Sequence, residues 1–380
     1  MKVRTIRHGR ICTLCVLCVL PACGQTAEPV DLSSTDLKSL LDEAVDEGLP
    51  GVILWVDAAG EGNDYRGAAG FADRGAEKPM TLDTRFRIAS NSKSFVGLAA
   101  AQQHATGKLD LDARAANYIE STITDNIENA DTATVRQLLN HSAGTYDYLA
   151  SDGFWDAVDN DPTHVWSAEE ALAFAFGEKA SFAAGTSWEY SNTNFLLAGL
   201  AIDSASGAHH SRAIRQGILE PLDMNATYYE HHEAASGTLA HGYQEFGTDD
   251  VEDTFAYDSG YGLADGGIIT TAGDLATYIG ALGRQEPRLG DAALAELFAS
   301  PAMPEDGEKY GLGISRFTGE YGEIVGHGGN VPGYNSDMFY HPDTDTIIVI
   351  MANGSDGHMD AIYEALVDRT LKLALGKASK

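Results

Sequence analysis

Ser90 and Lys93 stand three residues apart where an extended stretch gives way to a helix-forming run. Side chains at positions i and i+3 of a helix lie on one face, so this spacing places the hydroxyl beside the amine. A partly desolvated lysine can lose its proton near neutral pH and then take one from the serine. The pair therefore predicts an activated serine nucleophile; a capped, solvent-exposed helix start is the structural alternative.

A second polar group, Tyr190-Ser191-Asn192, precedes an apolar helix-forming run. A tyrosine beside a cationic lysine can shuttle a proton to or from a serine oxygen, because the cation lowers the pKa of the phenol. The Asn192 amide can orient both the lysine and the substrate. Helix capping by Ser191 or Asn192 is the structural alternative.

A third group, His327-Gly328-Gly329-Asn330, ends a strand-like run. Glycines on an edge strand let a ligand approach the backbone closely, and a free N–H there can point at a developing oxyanion. His327 can donate to an anionic substrate group or set the proton balance of the site. A glycine-rich turn with an incidental histidine is the structural alternative.

The elements predicted around these residues form one sheet built from both ends of the chain. Short apolar runs bounded by turn residues predict strands at 52–56, 65–71, 324–329, 336–340 and 346–351. Apolar residues at helical spacing predict helices at 35–47, 95–106, 134–139, 168–176, 194–205, 211–219 and 362–375. This is an α/β fold of the α+β type, with a helical subdomain inserted at about 96–264. We expect the site between sheet and subdomain, where clefts usually form.

Length and composition indicate one large domain. With 44% hydrophobic residues, the 380-residue chain can bury a substantial core. Residues 1–23 have the pattern of an export signal, because four basic residues precede an apolar run too short to span a bilayer. The remaining 24–380 would form a single catalytic domain. Without the four basic residues, the net charge changes from −31 to −35, which disfavours nucleic acid and anionic lipid as partners.

All four cysteines lie in the export signal: Cys12, Cys15, Cys18 and Cys23. The mature domain is therefore expected to contain no disulfide, no cysteine nucleophile and no cysteine-bound metal. The sequence Leu20-Pro21-Ala22-Cys23-Gly24 resembles the lipobox of bacterial lipoproteins, which implies lipidation at Cys23 and a location in the periplasm or outer cell envelope. Ordinary cleavage and secretion is the alternative.

The order Ser-x-x-Lys, Tyr-x-Asn, His-Gly-Gly resembles the serine β-lactamase and penicillin-binding protein superfamily. The Tyr-x-Asn form and the histidine are similar to the motifs of one branch of this superfamily. That branch contains class C β-lactamases, D-alanyl-D-alanine carboxypeptidases, D-aminopeptidases and family VIII esterases. Segments 136–144, 220–224 and 266–275 resemble that branch's "LLxHTSG", "PLGM" and "GGxxSTAxDL" segments. The resemblance covers about 35–375 and implies a β-lactamase/transpeptidase-like fold with an antiparallel sheet.

The resemblance implies roles for four residues of the first two groups. Ser90 would be the nucleophile, Lys93 and Tyr190 the proton-transfer pair, and Asn192 the orienting amide. Turnover would pass through an acyl-serine intermediate and would require no metal or organic cofactor.

In the third group, the resemblance implies that His327 replaces the lysine of the family motif. The backbone N–H groups of Ser90 and Asn330 would form the oxyanion hole, and Gly328 and Gly329 would line the substrate site. Many relatives have threonine or serine where this chain has Gly328, so a hydroxyl that binds a substrate carboxylate is missing. This departure weakens the case for β-lactams and C-terminal D-alanine, since both present a carboxylate.

These observations predict an exported, monomeric serine hydrolase that acts on a small-molecule or peptide substrate. Esterase or D-amino-acid peptidase activity ranks above true β-lactamase activity, and a non-catalytic envelope protein that binds peptidoglycan fragments is a further alternative. An α/β-hydrolase is disfavoured because Gly-x-Ser-x-Gly is absent. His231-His232-Glu233 lacks the second histidine of a zinc-protease motif, and the His209-His210 pair is interpreted as a surface feature, so no metal site is predicted.

Overall fold

The computed structural model describes residues 34–58, 64–245, 251–299 and 308–376. The predicted export signal and the lipidation site at Cys23 lie outside these residues. Within them, no helix combines the length and the apolar character that a membrane span requires.

Strands and helices alternate along much of the chain, with the long strands near its two ends. The strands are β1 Gly51–Asp57, β2 Tyr65–Asp73, β3 Lys78–Pro79, β4 Phe86–Arg87, β5 Tyr228–Tyr229, β6 Tyr243–Glu245, β7 Val251–Asp253, β8 Ile268–Thr270, β9 Glu308–Tyr310, β10 Ser315–Gly319, β11 Gly322–Val331, β12 Tyr334–His341, β13 Thr346–Ala352 and β14 Gly354–Ser355. The helices are α1 Ser34–Glu47, α2 Ser92–Ala105, α3 Ser121–Thr124, α4 Val135–Leu139, α5 Asp152–Asn160, α6 Ala168–Leu172, α7 Asn192–Ser206, α8 His210–Ile214, α9 Ala272–Gly283, α10 Asp291–Ala299 and α11 His358–Leu375.

In the described ranges, eight strands form one sheet in the order β3-β2-β1-β13-β12-β11-β10-β9, and each neighbouring pair is antiparallel. The first long strand is joined to the last, with Val52 opposite Ala352 and Trp55 opposite Val349. The predicted sheet from N- and C-terminal strands is therefore confirmed. The helix-and-loop interpretation of the middle region omitted the short strands β5, β6 and β7, which have only two or three residues each.

The sheet is covered on both faces. Alternate side chains of β1 enter different cores: Leu54 packs in the core of α1 and α11, whereas Ile53 packs in the larger core on the opposite face. In β13, all seven residues are buried. Burial on both faces explains why this strand is a continuous apolar run rather than an alternating one.

Helix α2 runs through the larger core, as its apolar sequence predicted. Eleven of its fourteen residues are buried, and Phe95 stacks on Tyr278 of α9 with 3.6 Å between ring centroids. Gly97 allows a close approach, because a methyl group there would lie 1.7 Å from the carbonyl oxygen of Leu312. The residues at the start of α2 are thus held in a fixed position between the sheet and the neighbouring helices.

Candidate active site

Ser90 lies in a short 3-10 turn, Ala89–Asn91, between β4 and α2. Ala89 has φ +48°, a left-handed conformation that non-glycine residues seldom adopt. The turn is anchored to β12 because the Asn91 side-chain amide donates to Ser336 Oγ at 2.8 Å. Ser90 is partly exposed, so this anchored turn places the nucleophile candidate at the protein surface.

Lys93 is fully buried, and its three N–H bonds all have acceptors. Its Nζ lies 3.0 Å from Ser90 Oγ, 2.8 Å from Asn192 Oδ1 and 2.8 Å from the carbonyl oxygen of Asp265. Burial lowers the pKa of Lys93 to about 8, while the carboxylates of Asp265 and Asp147 oppose that shift. A substantial fraction of Lys93 is therefore neutral near pH 8 and able to accept the serine proton.

The Tyr190 hydroxyl is buried and has no hydrogen-bond partner among the described residues. Its ring lies 5.0 Å from Lys93 Nζ. The expectation that the lysine lowers the phenol pKa is wrong here: burial raises the pKa of Tyr190 well above its usual value, and the nearby Ser90 hydroxyl opposes this only in part. Tyr190 is therefore a protonated phenol in the resting site.

His327 is buried, and both of its ring nitrogens are occupied. Its Nδ1–H donates to the carbonyl oxygen of Gly328 at 2.6 Å, and the Tyr310 hydroxyl donates to Nε2 at 2.8 Å. Burial and the charge on Lys93 lower the pKa of His327 to about 3. The imidazole is therefore neutral and does not reproduce the cation of the family's third motif, and in this arrangement it does not donate to an anionic substrate group.

The register of β11 determines where its backbone N–H groups point. Val331 and Tyr334 flank a two-residue turn and form the first pair of the β11–β12 ladder. Hydrogen-bonded pairs alternate along an antiparallel ladder, so the N–H of Asn330 faces away from β12. On that side β10 begins at Ser315, opposite Gly326, and leaves the edge beside Asn330 uncovered by β10.

Gly329 brings this edge close to the nucleophile turn. A methyl group at Gly329 would lie 2.2 Å from the carbonyl oxygen of Ile88 and 3.1 Å from Ala89 Cβ. The turn that carries Ser90 therefore packs directly on β11. The turn thus contacts β11 at the residue that precedes Asn330.

Packing also favours glycine at position 328, besides leaving the site without a hydroxyl there. A Cβ at this position would lie 2.7 Å from Asp337 Oδ1 on the neighbouring strand. Asp337 Oδ2 accepts a hydrogen bond from the Tyr363 hydroxyl of α11. Threonine or serine at position 328 would thus have to displace a carboxylate that is already bonded.

Half-buried Asp147 and buried Asp265 are two carboxyl groups of the site that escaped the sequence analysis. Asp147 accepts from the Asn192 backbone N–H at 3.2 Å and from its side-chain amide at 3.0 Å. Asp265 Oδ2 accepts from the Tyr148 hydroxyl at 3.0 Å. Asp147 follows the "LLxHTSG"-like segment by three residues, but nothing in its sequence distinguishes it from the surface acids of this acidic chain.

His141, within that same segment, was quoted without a role. It is fully buried with φ +61°, and its ring lies 4.2 Å from the Tyr190 ring. The backbone N–H of Ser191 donates to its Nδ1 at 3.3 Å. Burial holds the pKa of His141 well below its usual value, so a neutral ring packs against Tyr190.

The His209-His210 pair is not a bare surface feature, because Asp203 lies beside it. One carboxylate oxygen of Asp203 and one ring nitrogen of each histidine lie within 4.8 Å of one another. His210 is buried between Asp203 Oδ1 at 3.0 Å and the Tyr229 hydroxyl at 2.8 Å. His209 Nδ1 accepts the backbone N–H of Ser211 at the start of α8. The surface interpretation of His210 is therefore wrong, since both of its nitrogens serve the fold.

Comparisons with known proteins agree with this geometry. A family model described as beta-lactamase matches residues 37–371. Penicillin-binding protein 4* of Bacillus subtilis (strain 168) is 25% identical over 327 residues, covering 81% of this chain and 69% of that protein. Esterase EstB of Burkholderia gladioli is 32% identical over 216 residues, covering 52% of this chain and 53% of the esterase.

Solved structures match over more of the chain. The D-amino acid amidase of Ochrobactrum anthropi SV3, complexed with L-phenylalanine, has a TM-score of 0.76 at 28% identity and covers 90% of this chain and 98% of its own. The octameric penicillin-binding protein homologue from Pyrococcus abyssi has a TM-score of 0.77 at 27% identity, covering 90% and 77%. The chain therefore belongs to the beta-lactamase family, a serine hydrolase family with penicillin-binding proteins, esterases and D-amino acid amidases among its members.

Proposed function

We propose that this protein hydrolyses an ester or amide bond through an acyl-serine intermediate formed on Ser90. The observation that carries the proposal is the contact of a fully buried Lys93, 3.0 Å from Ser90 Oγ, whose pKa is lowered to about 8. A neutral amine at that distance is within reach of the serine proton. A lysine kept only for structure would instead be expected to remain fully charged and paired with a carboxylate.

In the first step, Lys93 takes the Ser90 proton while Oγ bonds to the substrate carbonyl carbon. The carbonyl oxygen becomes an oxyanion, which the N–H groups of Ser90 and Asn330 would stabilise. As the tetrahedral intermediate collapses, the bond to the leaving group breaks and the proton returns to that group through Lys93 or Tyr190. Water then attacks the acyl-serine with the same groups acting in reverse, and releases the acid and Ser90.

The substrate side favours an uncharged group beside the scissile bond. Gly328 supplies no hydroxyl, and neutral His327 supplies no positive charge for a substrate carboxylate. The names of the relatives include an esterase and a D-amino acid amidase. We therefore rank esters and D-amino-acid amides above β-lactams and D-Ala-D-Ala peptides as substrates.

The test compares an activated ester, a D-amino-acid amide, a D-Ala-D-Ala peptide and a chromogenic cephalosporin with wild type and Ser90→Ala. We expect turnover of the first two, fastest for the ester, and its loss in Ser90→Ala. Turnover that survives Ser90→Ala would overturn the proposal. Binding of peptidoglycan fragments without turnover of any substrate would favour the non-catalytic alternative.

The export prediction is also part of this proposal, since the basic and apolar pattern of residues 1–23 supports a signal and Cys23 supports a lipid anchor. In a bacterial host that expresses the 380-residue sequence, metabolic labelling with a palmitate analogue should label the wild-type protein and leave the Cys23→Ser variant unlabelled. Recovery of unlabelled, uncleaved protein from the cytoplasm would contradict it.

A further inference from the structure

Asp147 lies next to the reacting groups and hydrogen-bonds to Asn192 rather than to Ser90. We propose that Asp147 is a positioning residue that fixes the orientation of the Asn192 amide and, through it and through its own charge, sets the proton affinity of Lys93. This inference rests on the proposed function, because Lys93 matters as the acceptor of the Ser90 proton.

The contacts of Asp147 bracket Asn192 from two sides. Asp147 Oδ1 accepts the backbone N–H of Asn192 at 3.2 Å, and Oδ2 accepts its side-chain Nδ2 at 3.0 Å. With Nδ2 directed at the carboxylate, the other end of the amide, Oδ1, faces Lys93 Nζ at 2.8 Å. A carboxylate accepts only and an ammonium donates only, so a single amide orientation satisfies both neighbours.

Tyr148, the residue after Asp147, holds Asp265, whose carbonyl oxygen is the second acceptor of Lys93 besides Asn192. The Tyr148 hydroxyl donates to Asp265 Oδ2 at 3.0 Å, and the Asp265 carbonyl oxygen accepts from Lys93 at 2.8 Å. The Tyr148 backbone N–H donates to Thr193 Oγ1 at 2.9 Å. Two consecutive residues thus hold both groups that position Lys93 beside Ser90.

The charges around Lys93 give Asp147 a second effect. Among the described residues, five titratable groups surround the amine: Asp147, Asp265, Tyr190, His141 and His327. The histidines and the phenol are uncharged at neutral pH, so the two carboxylates are the groups that keep Lys93 protonated against burial. Burial raises the pKa of Asp147 to about 6, and the Asp265 carboxylate beside it acts in the same direction. Above pH 6, removal of the Asp147 charge should therefore lower the pKa of Lys93 further.

A simpler role is available, since Asp147 Oδ1 also accepts the backbone N–H of Leu149 at the start of the turn Tyr148–Ala150. A capping residue of this kind affects stability and leaves the proton affinity of Lys93 unchanged. The two roles therefore differ in pH dependence rather than in the loss of activity alone.

The decisive variant is Asp147→Asn, which keeps the shape and removes the charge. The new Nδ2 group would be a donor facing the Asn192 Nδ2 donor. The Asn192 amide would then favour the rotated orientation, in which its N–H groups rather than its oxygen face Lys93. We expect kcat/KM to fall at least about tenfold and its acid limb to move to lower pH, because the neutral form of Lys93 is then populated earlier. Asp152→Asn, an exposed acid in the same segment, is the matched control and should change neither.

A double-mutant cycle separates action through Asn192 from independent action. In an Asn192→Ala background, Asp147→Asn should lower kcat/KM by less than about twofold, because the amide it orients is already gone. Equal losses in both backgrounds would overturn the positioning role.

A measurement that needs no turnover keeps this inference separable from the proposed function. The Cε resonance of Lys93, assigned by comparison with Lys93→Arg in ¹³C-lysine-labelled protein, reports its titration directly. We expect a midpoint near 8 in wild type, a midpoint lower by at least about half a unit in Asp147→Asn, and no change in Asp152→Asn. Identical midpoints in all three proteins would overturn the inference, whether or not Ser90 is the nucleophile.

Discussion

The pocket around Lys93 and the edge of β11 at Asn330 are built in opposite ways. In the pocket, each N–H of Lys93 meets a fixed acceptor, and carboxylates and neutral rings surround it. On the edge, Gly328 has no side chain, His327 is neutral with both nitrogens occupied, and the Asn330 N–H faces away from β12.

Under the proposed function, this difference would assign proton transfer to the pocket and substrate selection to the edge. The pocket is buried and each N–H of Lys93 has an acceptor there, so small changes in it should affect rate and pH dependence. The edge is a backbone surface with little charge, so changes there should affect which substrate is accepted and how well its oxyanion is stabilised. Four predictions test this division.

The largest effect is expected from Lys93→Met, which keeps the length of the side chain and removes the amine. General base catalysis contributes about 10²–10⁴ in rate, and we expect a loss toward the upper end of that range. The free energy of unfolding should fall by about 1–3 kcal/mol while the protein stays folded, because the change leaves Asn192 Oδ1 and the Asp265 carbonyl oxygen without their donor. Kinetics and chemical denaturation check both parts. A variant that loses activity because it is unfolded would contradict the second.

On the edge, Asn330→Pro removes one backbone N–H that the β11–β12 ladder does not use. We expect kcat to fall by about 10²–10³, the usual effect of losing one oxyanion donor. Thermal unfolding should show that the hairpin is retained. A loss below about threefold in a folded variant would mean that the Asn330 N–H does not face the reacting carbonyl.

Within the pocket, Tyr190→Phe removes a buried hydroxyl that has no hydrogen-bond partner among the described residues. We expect a loss of about 10² in kcat, the lower range for a proton-transfer group. Stability should be unchanged or slightly higher, since an unsatisfied buried polar atom is lost. A clear drop in the unfolding midpoint would indicate that the hydroxyl is bonded in the folded protein.

The smallest effect is expected in the pH profile of His327→Gln. The pKa of His327 is lowered to about 3, so the imidazole stays neutral between pH 5 and 9 and does not create the acid limb. Lys93, with a pKa of about 8, must lose its proton before it acts as a base, so kcat/KM should rise with pH through about 8. The limb should keep its position in His327→Gln. A shift by a full unit would assign it to the histidine.

Much of this site was predictable because the motifs are local. Ser90 and Lys93 are one helical turn apart, and the family's order of motifs supplied Tyr190, Asn192 and His327. Their states were less predictable, since the pKa values of Tyr190 and His327 follow from burial, and burial depends on packing from other elements.

The same limit applies to Asp147, which meets Asn192 across 45 residues of chain. One aspartate among 56 acidic residues carries no sign of that contact in the sequence. In the fold, the long strands were identified from their apolar runs, whereas β9 and β10 were missed because they are short and carry exposed or half-buried polar residues.

The most direct test of the central claim is the pH dependence of Ser90 labelling by a serine-directed phosphonate, followed by peptide mass spectrometry. Ser90 must act as the nucleophile, and neutral Lys93 must take its proton, for labelling to proceed. We predict a single modified peptide containing Ser90, a labelling rate that rises with one ionisation near pH 8, and no labelling in Ser90→Ala. Labelling at another residue, or a rate independent of pH between 6 and 9, would contradict the account.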